Sequence, residues 1–307
     1  MQEWDIVIIG AGPGGLCAGL YGSRANRKTV AIEKFLPGGE IVNTEFVEDF
    51  PGFDIIGGPE LAKKFEDHAR KFGLEINTDN VVEIYKEGKY VIIKCDDDTY
   101  KAKACIVASG GHPRKLGVPG EEPLAGKGVS YCALCDGAFF KDQEIAVVGG
   151  GDAAVEEGMF LTKYGSKVYL IHRRDELRAQ RVIQDRAFKN EKMEIIWDTV
   201  PEKINGEKRV ESITIKNVKT GEVKDLPVGA VFPFVGFIPN SNLFRDPIEI
   251  DDAGYIITDQ QMQTSIEGIW AIGDVRQQLC KQITNAVGDG TTAAVAADKY
   301  IETWDEK

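Results

Sequence analysis

Two cysteines separated by two residues stand out among six in the chain: Cys132-Ala133-Leu134-Cys135, followed by Asp136-Gly137. Thiols at this spacing can form and break a disulfide, ligate half of a zinc site, or lie inert in a core. Zinc needs four ligands, yet Cys17, Cys95, Cys105 and Cys280 are scattered and only His68, His112 and His172 are present. The spacing therefore favours redox chemistry, and the four single cysteines read as packing. Asp136 next to the pair is either a proton donor or a helix cap.

Further chemistry is signalled by two glycine turns. Gly10-Ala11-Gly12-Pro13-Gly14-Gly15 follows the apolar run Asp5-Ile6-Val7-Ile8-Ile9 and precedes a helix-compatible stretch from Leu16 to Arg24. A second strand, Thr29-Val30-Ala31-Ile32, ends at Glu33. The same order returns 139 residues later: Ile145-Ala146-Val147-Val148, then Gly149-Gly150-Gly151-Asp152-Ala153-Ala154, a helical stretch to Tyr164, and Lys167 to Ile171. Glycines between strand and helix let a backbone approach a pyrophosphate, whose charge then rests on the helix N-terminus. The residue after the second strand separates the ligands. Glu33 suits a ribose diol, whereas Arg173 and Arg174, with His172 and Arg178 close by, suit a 2′-phosphate and so NADP(H). Asp175, Glu176 and Asp185 are alternative partners for these arginines.

These elements predict an α/β protein of two Rossmann-like nucleotide-binding domains, the second inserted into the first. The 307 residues agree with two domains. Residues 114–244 carry 19 Lys+Arg and 19 Asp+Glu, so the flanks hold the whole net charge of −12. Turn-rich stretches at 110–120 and 236–240 bracket the neutral segment. The expected division is 1–113 with 245–307, and 114–244. The acidic balance argues against nucleic acid and anionic membranes as partners. No apolar run is long enough for a membrane span. The start at Met1-Gln2-Glu3-Trp4-Asp5 lacks a secretion-signal pattern, so a cytoplasmic location is expected.

Taken together, the two fingerprints, Cys132-Ala133-Leu134-Cys135-Asp136, His172-Arg173-Arg174 with Arg178, and Ala271-Ile272-Gly273-Asp274-Val275 resemble the low-molecular-weight, bacterial-type thioredoxin reductases, class II pyridine nucleotide-disulfide oxidoreductases. The resemblance covers nearly the whole chain. It implies FAD at the first fingerprint, with Gly273 and Asp274 on the ribityl chain and further flavin contacts from Gly38, Gly39, Glu40, Val81, Lys281, Gln282 and Ile283. It implies NADPH at the second, held by Gly149, Gly151, Asp152, Ala153, Ala154 and the arginines. It further implies that Cys135 faces the flavin, that Cys132 attacks the disulfide of thioredoxin, that Asp136 is the general acid, and that the enzyme is a homodimer. Glu40, Asp49 and Lys281 depart from the Gln, Asn and Arg often found in the family, and Cys280 is unusual. The rivals are a same-fold reductase of another small disulfide protein (glutaredoxin-like or peroxidase-linked), a ferredoxin-fed relative, and a non-catalytic nucleotide or metal sensor.

Overall fold

A computed structural model describes residues 2–44 and 46–304. The chain divides into two compact units, Met1–His112 with Ile238–Lys307, and Pro113–Phe237. The crossings fall at the short strands Gly111–Pro113 and Phe237–Pro239.

In the first unit, strands Glu75–Thr78, Thr29–Glu33, Gln2–Ile9 and Thr99–Val107 run side by side in parallel. Along its far edge, Thr99–Val107 pairs antiparallel with Tyr90–Cys95 over residues 99–102, and parallel with Ile269–Ala271 over residues 105–107. The central strand Gln2–Ile9 is continuously apolar from Ile6 to Ile9, where both of its faces are covered. Ile6 and Ile8 pack with Leu16, Ala18, Ala293 and Ala297 from the helices Pro13–Arg24 and Ile283–Glu302. Val7 and Ile9 pack on the opposite face with Ile84, Val91 and Ile93, from the hairpin strands Val81–Glu87 and Tyr90–Cys95.

The second unit repeats the plan. Met193–Ile196, Lys167–Ile171, Glu144–Gly149 and Ala230–Phe234 form a parallel sheet. Ile145 and Val147 face the helices through Ala154, Val155, Leu161 and Ile183. Ala146 and Val148 face Ile204, Ile213 and Ile215 of an antiparallel sheet built from Thr199–Asn205, Ser212–Asn217 and Val223–Pro227. Each unit thus presents one strand, glycine turn and helix in the arrangement that the repeat predicts. No helix among the described residues is long and apolar enough to cross a membrane.

Candidate functional site

The first glycine turn is shaped by close backbone approach. Gly10 has φ +98°, and a Cβ there would collide with Ala108 O. A Cβ at Gly15 would collide in turn with Gly10 O. Side chains are thus excluded where the strand end meets the helix. The helix Pro13–Arg24 starts at Gly12 with no side-chain cap, with Pro at its first turn and no acid there. Its first N–H groups remain available to an anion, and its dipole favours one. The short 3₁₀ turn Gly39–Asn43 lies against this loop: Gly38 N–H donates to Ala11 O at 2.7 Å, and a Cβ on Gly39 would stand 3.0 Å from Gly12 Cα.

Glu33 closes the other side. Its Oε2 accepts the Ala11 N–H at 2.8 Å and its Oε1 the Phe35 N–H at 3.1 Å. Opposite the turn stands Gly273-Asp274, which the sequence flagged, held by two residues that it did not. Asp289, 6% exposed, accepts the Gly273 N–H at 3.0 Å and the Arg276 guanidinium at 2.7 and 2.9 Å. Burial raises the Asp274 carboxyl above its usual range; Lys281 opposes the rise and Asp289 adds to it. Lys281 donates to Asp274 O at 3.0 Å, with its ammonium 3.5 Å from the centre of the Tyr255 ring. Glu40 reaches solvent, yet the protein packed around it raises its carboxyl; Asn43 opposes this and Asp274 adds to it. Gln282 stands at the cap of the helix Ile283–Glu302, and Ile283 packs beside Ile41 and Val47. Val81 opens the strand Val81–Glu87 and packs on the core beneath it.

In the second unit, the helix Asp152–Leu161 also starts without a side-chain cap, at Gly151. The space beside Gly151 is open, with nothing within 4 Å of a Cβ placed there. Ala153 is exposed and Ala154 buried beneath the turn. Asp152 accepts from Gln180 N–H at 2.7 Å and its Nε2 at 3.3 Å, bracing the segment that carries Arg178. The Arg178 N–H donates to Gly150 O at 2.7 Å. Arg173, Arg174 and Arg178 are exposed and form no ion pair among the described residues. Asp175, an alternative partner for them, instead meets Lys219 at 2.9 Å, which lowers its carboxyl. His172 differs from its arginine neighbours: its ring is buried, and both of its nitrogens lie on backbone carbonyls.

Cys132 and Cys135 form a disulfide, with S–S 2.11 Å and Cα–Cα 5.4 Å. Cys132 caps the short helix Ala133–Asp136, its Sγ accepting the Cys135 N–H at 3.1 Å. Its own N–H donates to Ser130 Oγ at 3.1 Å. The neighbouring Tyr131 hydroxyl donates to Glu121, a 1%-exposed carboxylate that also accepts from Leu116 and Gly117 N–H. The Asp136 side chain makes no cap bond on the 3₁₀ turn that follows it. No group of three or more His, Cys, Asp or Glu among the described residues is arranged to hold a metal. Of the single cysteines, Cys17 and Cys105 are buried, and Cys95 is pushed up to about 12 by burial and nearby Asp79, Asp98 and Asp96. Cys280 is exposed.

Two uncapped glycine turns and a disulfide are the equipment of a nucleotide-fed disulfide reductase, and comparison with known proteins decides the family. Residues 4–290 match the pyridine nucleotide-disulphide oxidoreductase family. The chain belongs to it. Within that family it is similar to the thioredoxin reductase of Bacillus subtilis (strain 168), 46% identical over 304 residues, 99% of this chain and 96% of the relative. The structure of Lactococcus lactis thioredoxin reductase superposes with a TM-score of 0.96 at 48% identity, covering 97% of this chain and 99% of that one. That of T. acidophilum thioredoxin reductase gives 0.93 at 33% identity, covering 97% and 99%. As a pyridine nucleotide-disulphide oxidoreductase, the chain has a use for each of the three features: two turns open to phosphates and one cysteine pair.

Proposed function

We propose that this chain is an NADPH-dependent thioredoxin reductase that passes an electron pair from NADPH through FAD and the Cys132–Cys135 disulfide to oxidised thioredoxin. The observation that carries this reading is the pairing of a redox disulfide with two differently furnished glycine turns, one closed by Glu33 and one flanked by unpaired arginines. FAD fits the first turn, where only glycines allow Gly12 and Gly39 to approach and the helix end is left open to a diphosphate. NADPH fits the second, where Arg173, Arg174 and Arg178 are free to take a 2′-phosphate. When bound, FAD accepts hydride from NADPH and supplies the electron pair that opens the disulfide.

The chain's own residues do the rest. The unit formed by Met1–His112 and Ile238–Lys307 holds FAD through the Gly10–Gly15 turn, Glu33, the Gly39-Glu40 turn and Gly273-Asp274. The unit Pro113–Phe237 holds NADPH and carries the disulfide. Reduction of the Cys132–Cys135 bond yields two thiols. Cys132, as thiolate, attacks one sulfur of the partner's disulfide and expels the other as thiolate, forming a mixed disulfide. Asp136, which spends no oxygen on capping, donates the proton that the leaving thiolate takes. Cys135 then attacks Cys132 Sγ, releasing reduced thioredoxin and restoring the disulfide. The enzyme works as a homodimer in the cytoplasm.

The deciding experiment is NADPH consumption by the purified protein with a thioredoxin and a reporter disulfide. Turnover that requires thioredoxin supports the reading. Turnover with a glutaredoxin-like or peroxidase-linked protein in its place would move the substrate assignment, and dependence on ferredoxin would move the donor. Light scattering in solution tests the dimer.

A further inference from the structure

His172 sits between the two segments that form the second nucleotide site. Its Nδ1 lies 2.9 Å from Gly149 O in the glycine turn, and its Nε2 lies 2.9 Å from Glu176 O in the arginine segment. Both carbonyls accept hydrogen bonds and neither can donate one. A neutral imidazole has one N–H, so it satisfies one carbonyl and turns a lone pair on the other; an imidazolium satisfies both. The ring is 5% exposed, so water does not resolve the conflict. The glycine turn is packed so closely on it that a Cβ at Gly150 would collide with the imidazole.

The charges around the ring oppose protonation in the free protein. Burial is the main force that disfavours charge on the ring, and from its own segment the Arg178 and Arg174 cations add to it; together they outweigh the Glu176 and Gly149 carbonyls, which favour the protonated ring, so its basicity is lowered. The acids on the packed elements are occupied elsewhere: Asp152 with Gln180 in the glycine turn, and Asp198 with Lys219 beyond the Trp197 ring, which stacks edge-on at 6.2 Å. What the pocket lacks is an anion, and a nucleotide 2′-phosphate at the arginines would bring one.

We propose that His172 is a proton-linked positioning residue: when a 2′-phosphate docks on Arg174 and Arg178, the ring takes one proton from solvent, donates to both Gly149 O and Glu176 O, and fastens the glycine turn to the arginine segment. This rests on the NADPH reading above. The phosphate cancels the arginine repulsion that adds to burial in keeping the ring neutral, and the second hydrogen bond makes the site rigid only when the phosphorylated nucleotide is present. Selectivity for NADP(H) over NAD(H) therefore exceeds what the arginine contacts supply, and it weakens as pH rises. The phosphate's own second ionisation, near pH 6, contributes with the opposite sign, because its binding as a dianion releases protons.

The test uses the full-length, FAD-loaded protein with NADP⁺ and NAD⁺ as probes. Calorimetry at about pH 7.5, above the phosphate ionisation, in two buffers of different ionisation heat counts the protons exchanged. Net uptake with NADP⁺ and none with NAD⁺ is expected, with the Kd for NADP⁺ rising toward about tenfold per pH unit where uptake is complete. Ring ¹⁵N spectra read the same event without a mutation, since only His68 and His112 share the chain with His172. His172 should pass from a neutral tautomer to imidazolium on adding NADP⁺, and remain neutral with NAD⁺. His172→Gln, which keeps an N–H at one end but cannot take the proton, should remove the uptake and the extra pH dependence of NADP⁺. A ring that stays neutral under saturating NADP⁺, or is already imidazolium without it, overturns the proposal while leaving the NADPH reading intact. Failure of NADP⁺ to bind at all overturns both.

Discussion

The Glu33 carboxylate accepts the Ala11 N–H at 2.8 Å, so the acid that ends the second strand is fastened to the turn that ends the first. A second oxygen holds the Phe35 N–H. The residue that is to read a ribose is thus preorganised by the loop that is to hold the diphosphate.

Glu33→Ala should accordingly disturb both halves of the first site. Loss of the charge-assisted bond to the Ala11 N–H, which is part-buried, costs about 1.5–3 kcal/mol, whereas the exposed Phe35 N–H turns to water at little cost. FAD titration into apoprotein, followed by flavin fluorescence, should show weaker binding, while NADP⁺ affinity is retained. Unchanged FAD affinity would separate Glu33 from the flavin.

Asp289 and Arg276 form a buried pair beneath Gly273, with side-chain exposures of 7% and 14%. Removing one partner of such a pair strands the other charge and typically costs about 3–5 kcal/mol. Asp289→Asn should lower the melting temperature of the apoprotein and also loosen FAD, because the Gly273 turn loses its anchor. Flavin loss on gel filtration is the readout, and full retention of flavin would show that the turn holds its shape without the pair.

Much of this was legible in the sequence. Thr29–Glu33 and Lys167–Ile171 fall where the apolar runs place them, because strands covered on both faces are continuously apolar. The first strand starts at Gln2 instead of Asp5, since Gln2, Glu3 and Trp4 pair with Tyr100, Lys101 and Ala102, a partnership invisible locally. The helix expected to run to Tyr164 ends at Leu161; Thr162 begins a chain of turns that closes with Gly165 N–H on Leu161 O. Asp289 and Arg276 were missed because a buried acid 15 residues after the Asp274 motif leaves no spacing signal. The bonding of both His172 nitrogens is likewise a tertiary fact: Gly149 lies 23 residues away.

Arg173→Ala with Arg174→Ala should raise the KM for NADPH and leave that for NADH nearly unchanged. A hydrogen bond to a charged group is worth about 1.5–3 kcal/mol, so at least roughly a tenfold rise is expected at constant kcat. Steady-state kinetics with both nucleotides checks it. Equal losses with NADPH and NADH would mean that the arginines do not read the 2′-phosphate.

The two cysteines should behave unequally. On the proposed roles, with Cys135 as the thiol that faces the flavin, Cys132→Ser should give a long-wavelength thiolate-to-flavin absorbance on raising pH, with no transfer to thioredoxin. Cys135→Ser should lack the band yet trap a mixed disulfide with thioredoxin through Cys132. Exchanged spectra would reverse the assignment of roles.

Asp274 supplies a pH dependence with a definite sign. Burial raises its carboxyl in the folded chain above the unfolded value. The folded state therefore holds its proton more tightly than the unfolded state, and the associated stability is full below the unfolded pKa of about 3.9. It is lost as pH rises through the folded pKa, so the ionised carboxylate is a liability to the apoprotein at neutral pH. Asp274→Asn removes the charge with little change in shape. The apoprotein variant should melt higher than its parent at neutral pH, and the difference should shrink toward zero as pH falls to about 4. On the proposed contact of Asp274 with the ribityl hydroxyls, the same variant should bind FAD more weakly, since an amide NH2 replaces one carboxylate acceptor. Melting curves of both apoproteins across this range give the test. A gap that widens in acid would mean that Asp274 is stabilised as a carboxylate, with Lys281 outweighing burial.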